Sequence, residues 1–155
     1  MMESEAPALD LIASFEHLAE AARRAEDAYR REATDRTEAL ARERANAFRR
    51  LNLVRTATRA IAEAEDPEKA LARVRFIVAG ALGFDEIGPR QTLVLDQLMP
   101  VFEAMQAEMS ASEGTAGLAT GAALRGFEDW YRQETGTEFY ALFERYMPDT
   151  PRVDF

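Results

Sequence analysis

The chain has 155 residues, 47% hydrophobic and 30% charged, enough for one domain with a sizeable core. It contains no cysteine, which excludes disulfide frameworks, zinc ribbons and thiol catalysis. The formal net charge of −9 repels nucleic acid and anionic lipid overall, and no apolar run reaches the length of a secretion signal or a membrane span, so a cytoplasmic protein is expected.

Residues 1–7 read as a flexible acidic terminus. From 8 to 64 there follow 57 residues without glycine or proline, rich in Ala, Leu, Glu and Arg, which predicts one long helix over 8–65. As a straight rod it would measure roughly 85 Å. A compact domain of this size has a radius of gyration of about 15 Å. The helix therefore either bends back on itself or projects and buries its apolar stripe against another chain.

In its first half Leu11, Phe15, Leu18, Ala22, Ala25 and Tyr29 alternate at spacings of four and three, the seam of a coiled coil. These six residues are the candidate self-association surface, with a homodimer as the simplest assembly. Over 32–37 the sequence Glu-Ala-Thr-Asp-Arg-Thr offers poor helix formers and no large apolar residue, which marks the expected bend. Leu40, Ala47, Leu51, Val54 and Ile61, joined by Phe48, then resume a stripe in a slipped register, which suits a mixed bundle better than a strict zipper.

Residues 66–147 are expected to complete the domain. Asp66-Pro67 supplies an N-cap and a first helical residue, and a second helix is predicted from Pro67 to about Leu82. Its end, from Phe76 to Leu82, is almost wholly apolar and reads as buried on most sides, with Gly80 admitting a close neighbour and Gly83 as a left-handed terminator. A third helix runs from Gly88-Pro89 to about Met109, kinked by Pro100, with Leu95, Leu98, Met99, Phe102, Met105 and Met109 on its apolar side. A polar loop follows at 110–115. Gly117, Gly121 and Gly126 then suit close backbone packing in a fourth helix that stops at Gly136, and a fifth is expected from Thr137 to Met147. The tail over 148–155 has two prolines and reads as non-helical.

Eight of the fourteen aromatic residues lie in the last thirty positions. Phe127, Trp130 and Tyr131 share one helix face, and Phe139, Tyr140, Phe143 and Tyr146 another. They form either a small aromatic core or a face for a partner or ligand.

Chemistry-bearing patterns are scarce. His17 is the only histidine, mid-helix, with no serine elbow near it, and one histidine cannot build a paired Glu-x-x-His di-iron site. Glu16, His17 and Glu20 read as a solvated face, and phosphate-binding glycine loops are missing. No catalytic residue, metal or cofactor is assigned. Within 42–59, Arg42, Arg44, Arg49, Arg50, Arg55 and Arg59 stand against Glu43 alone, a local charge of +5. They are candidates for ion pairs with the acidic remainder or for a nucleic-acid contact.

The expectation is thus an all-α, elongated helical bundle built on a coiled-coil-like long helix, with short aromatic-rich helices at its C-terminal end. It is expected to act as a non-enzymatic adaptor or regulator that self-associates and binds a protein partner. A nucleic-acid-associated regulator and a small-ligand sensor with an aromatic pocket are the alternatives.

Overall fold

The computed structural model describes residues 2–29, 34–110 and 117–142, with side chains described over 9–28, 38–110 and 117–142. Within them the chain forms an elongated all-α bundle of five helices: α1 (Met2–Tyr29), α2 (Thr34–Glu63), α3 (Pro67–Ala81), α4 (Pro89–Ser110) and α5 (Leu118–Thr135). A short 3-10 helix, Phe139–Leu142, follows α5.

The 8–65 stretch is two helices, and the rod is resolved by folding back. Residues 30–33 lie outside the described part. On either side of them α1 and α2 form the most extensive helix pair in the molecule. Their direction is fixed by two ion pairs. Arg44 Nε lies 2.6 Å from Glu26 Oε2 and Arg55 Nη2 lies 3.0 Å from Glu16 Oε2, so positions rise along α2 as they fall along α1, an antiparallel hairpin. Of the 32–37 stretch expected to bend, residues 32 and 33 lie outside the described part and α2 begins at Thr34. Thr and Asp are poor in helix interiors but favourable near a helix start, and the same residues that predicted a bend begin the second helix. At the other end, α1 starts at Met2, so residues 2–7 are helical rather than a flexible terminus. Pro7 falls in the second turn, where its missing N–H removes a single intrahelical bond.

The sequence signals around α3 are realised closely. Asp66 has an extended backbone (φ −121, ψ 117), and its side chain accepts the Glu68 N–H at 3.0 Å, with Pro67 at the first helical position. At the far end Gly83 takes φ 76. Its N–H bonds Gly80 O at 3.0 Å while the Phe84 N–H reaches Ala79 O at 2.9 Å, which is the two-bond Schellman termination. The segment from Phe76 to Leu82 is not buried on most sides, however. Val78, Ala79 and Leu82 are buried, but Phe76 is 81% exposed. A Cβ built on Gly80 would meet nothing within 4 Å, so no neighbour uses the close approach it offers.

α4 opens with Pro89 behind Gly88, whose N–H donates to Gln91 Oε1 at 3.1 Å, half of a capping box. Pro100 stands inside α4 at an exposed position, bending rather than ending it. Leu95, Leu98, Phe102, Met105 and Met109 are buried as expected, and α4 runs antiparallel to α3 through Arg75–Asp96 (2.7 Å) and Gln106–Pro67 O (3.0 Å).

α5 starts without a side-chain cap of its own, since its N-cap is Gly117 at φ 91. Glu108 of α4 supplies the acceptor. Its carboxylate takes the Gly117 N–H at 2.6 Å, the Thr120 N–H at 2.7 Å and the Thr120 hydroxyl. A buried anion thus faces the positive end of a helix from a neighbouring one. Of the three glycines expected to favour close packing, only Gly117 does so: a Cβ there would lie 2.7 Å from Ser14 Oγ, whereas Gly121 and Gly126 have nothing within 4 Å. Gly136 ends α5 in the left-handed region, φ 74.

The expected fifth helix is, over its described part, the four-residue 3-10 turn, and residues 143–155 lie outside that part. Thr137 does not cap it; its hydroxyl pairs with that of Thr135 at 3.0 Å. Phe139 and Tyr140 of this turn are both buried.

Candidate functional site

The six seam residues of α1 are divided by the fold. Leu11 and Phe15 are buried in the chain's own core, Ala22 packs partly against it, Ala25 is half-buried, and Leu18 is 52% exposed. The side chain of Tyr29 lies outside the described part. A spacing of four and three identifies a stripe but not its occupant, and here α2 and α4 cover the larger residues of that stripe. Leu11 and Phe15 are thus occupied within the chain, and Leu18 is the large residue of the stripe left exposed among the described side chains.

The arginines of 42–59 are also divided. Arg44 is buried against Glu26, with side-chain exposures of 6% and 8%. Arg50 turns inward to α5, where Nε and Nη2 grip the two oxygens of Glu128, each at 2.8 Å. Arg55 pairs with Glu16. Arg49 is half-buried and also engaged, leaving Arg42 and Arg59 exposed on α2. The positive run therefore does not present one strip to a phosphate backbone. Its charge is largely neutralised by carboxylates far away in sequence, the ion-pair alternative of the two.

Four of the seven aromatic residues of the cluster pack into the core. Phe127, Tyr131, Phe139 and Tyr140 are buried. Phe139 meets Phe127 edge-on at 4.7 Å between ring centroids, and Tyr131 at 5.4 Å. Tyr140 lies under the Arg50 guanidinium, 5.3 Å from its centroid, and its hydroxyl donates to the same Glu128 oxygen that accepts Arg50 Nε. Burial first, and the Glu128 charge second, hold the Tyr140 phenol well above its usual value, so it stays a donor. Asn46 Nδ2 adds a bond to Glu138 at 3.2 Å. α2 thereby clamps the C-terminal segment through Asn46 and Arg50. Phe143 and Tyr146 lie outside the described residues.

Trp130 behaves differently. It is only half-buried, 5.9 Å from Phe127, and forms one wall of an open cleft of about 390 Å³ between the first turns of α4, the last turns of α5 and the 3-10 helix. Phe84, Leu93, Val94 and Leu142 supply the apolar lining, and Arg90, Gln91, Glu134 and Thr135 the polar one. That size lies within the range of small-molecule sites. Arg90 and Glu134 were not singled out by sequence, because two charges on separate helices carry no common pattern until the helices are placed.

The other feature outside the predicted sites is the open face of α3. Phe76 is the most exposed large hydrophobic residue among the described ones, and Lys69, Ala72, Arg73 and Gly80 are exposed around it. Positions 69, 73, 76 and 80 share one helical face, so the signal was present in the sequence: Phe76 sits off the stripe of Leu71, Val74 and Val78.

Glu16 and Glu20, beside His17, are paired with Arg55 and Arg23. Among the described residues no group of three or more His, Asp or Glu side chains is placed to hold a metal ion, and no helix is long and apolar enough to cross a membrane. Comparison with protein-family models, curated proteins and solved structures returns no match for this chain.

Proposed function

We propose that this chain is a non-enzymatic interaction protein, an adaptor or regulator that meets a protein partner through surface its own fold leaves uncovered. The observation that carries the reading is Phe76, 81% exposed on a helix whose other large aliphatic residues turn inward. Aromatic side chains are enriched at protein interfaces relative to the rest of the surface. A photocrosslinking phenylalanine analogue installed at position 76, and at exposed Arg125 as control, tests it in cells. A discrete protein adduct from position 76 alone is expected; adducts from neither position refute the reading.

The Trp130 cleft favours a second reading, a small-ligand sensor. Its lining suits a compound with an apolar body and a charged group within reach of Arg90 or Glu134. Trp130 is the only tryptophan, so its fluorescence reports the cleft directly. A saturable change with one member of a metabolite panel, lost in Arg90→Ala or Glu134→Ala, supports this reading, and silence across the panel removes it.

A further inference from the structure

We infer that the partner on the open face of α3 is a second copy of this chain, packed antiparallel about a twofold axis, which rests on the interaction reading above and names its occupant. Two properties of the face are self-complementary. The first is steric. Phe76 is a projecting ring, and Gly80, one turn along the same face, is a bare stretch of backbone with nothing within 4 Å of the place a Cβ would occupy. In an antiparallel pair centred level with residue 78, Phe76 of each copy lies opposite Gly80 of the other, so each knob meets a hole and both contacts form at once.

The second property is charge. The N-terminal part of the face carries Lys69 and Arg73, with Glu68 at its edge, and the turn just beyond the C-terminal end of α3 carries Asp85 and Glu86, all of them exposed. Arg73 makes one loose ion pair, 3.5 Å to exposed Glu63, and Asp85 and Glu86 make none among the described residues. Antiparallel packing sets Lys69 and Arg73 of each copy towards Asp85 and Glu86 of the other, whereas parallel packing would oppose Lys69 and Arg73 with themselves. The α3 helix dipole, positive at its N-terminal end, reinforces the same choice. A dimer on this face also leaves the Leu11 and Phe15 core of the monomer intact.

Analytical ultracentrifugation of the full chain across a wide concentration range tests the proposal, with circular dichroism on each variant as the folding control. A reversible dimer is expected. Phe76→Glu is expected to weaken it about 30-fold or more, the scale of losing a central interface side chain, and Gly80→Leu, which favours the helix but fills the hole, should do likewise. Lys69→Glu with Arg73→Glu, and separately Asp85→Lys with Glu86→Lys, should each dissociate the dimer, while an equal mixture of the two double variants should associate again. A wild-type chain that stays monomeric, a dimer indifferent to Phe76→Glu, or charge variants that fail to rescue each other would overturn the inference. If the chain is monomeric yet the crosslinker at position 76 captures a different protein, the twofold dimer fails and the interaction reading survives; without any adduct both fail.

Discussion

Replacing Glu108 with alanine removes the acceptor that closes the N-terminal end of α5. Three donors lose their partner: the Gly117 N–H, the Thr120 N–H and the Thr120 hydroxyl. Gly117 is half-buried and can turn to water, and a hydroxyl can rotate, but the Thr120 amide is fully buried and fixed by the helix. A buried donor left without an acceptor costs about 1–3 kcal/mol, and the other two losses bring the expected destabilisation to roughly 2–4 kcal/mol. For a chain of this length that corresponds to a fall in Tm of roughly 5–15 °C. Urea unfolding of wild type, Glu108→Ala and Glu108→Gln gives the measurement, with the glutamine variant intermediate because one carbonyl oxygen remains. Hydrogen exchange should show Thr120 deprotected ahead of the rest of α5. A Glu108→Ala protein within about 0.5 kcal/mol of wild type would refute the view that α4 caps α5.

Four further outcomes follow from other positions. Arg44→Ala strands the buried Glu26 carboxylate and should cost about 3–5 kcal/mol, whereas Glu26→Leu with Arg44→Met should be close to neutral or stabilising, as chemical denaturation of the three proteins would show. Gly126→Ala should stabilise by about 0.5–1 kcal/mol, since the helix gains a better former and the new methyl meets nothing. Gly117→Ala should destabilise by more than about 1 kcal/mol, because it combines a left-handed backbone with a clash against Ser14. The Tyr140 phenol is held above its usual value in the folded state, so above about pH 10 the unfolded chain releases a proton that the folded chain keeps. That contribution is complete below the unfolded value and is lost as pH rises through the folded one. Stability should therefore fall with alkaline pH, and Tyr140→Phe should lose that part of the slope, read as Tm against pH from 9 to 11.

What could be read in advance was local. Asp66-Pro67, Gly83 and Gly136 are punctuation whose physics lies within a few residues, and the structure places each as expected. The buried side of α4 was legible for the same reason, since a stripe at helical spacing needs only its own helix to be recognised. What the local pattern left open is which element meets which. Leu11 and Phe15 form the predicted seam yet face this chain, and Arg44 and Arg50 form a basic run yet neutralise Glu26 and Glu128. Phe76 inside an apolar run looks internal until the side of α3 that packs is known. Glu108 could not be found as a cap, because its partners start nine residues away across residues of no regular pattern.

The clamp between α2 and the C-terminal segment has a consequence for the order in which the chain becomes a protein. Arg50 finds Glu128 across 78 positions, and Asn46 finds Glu138 across 92. During synthesis the α1 and α2 hairpin leaves the ribosome long before either carboxylate exists. Its half of the clamp must wait, solvated, for the last helices to be made. Early folding can then rest on the hairpin's own contacts, while closure of the bundle is deferred until Glu128 and Glu138 have been made, when the widest loops are sealed. A nascent chain released before Glu128 would lack both bonds that fasten α2 to the C-terminal segment.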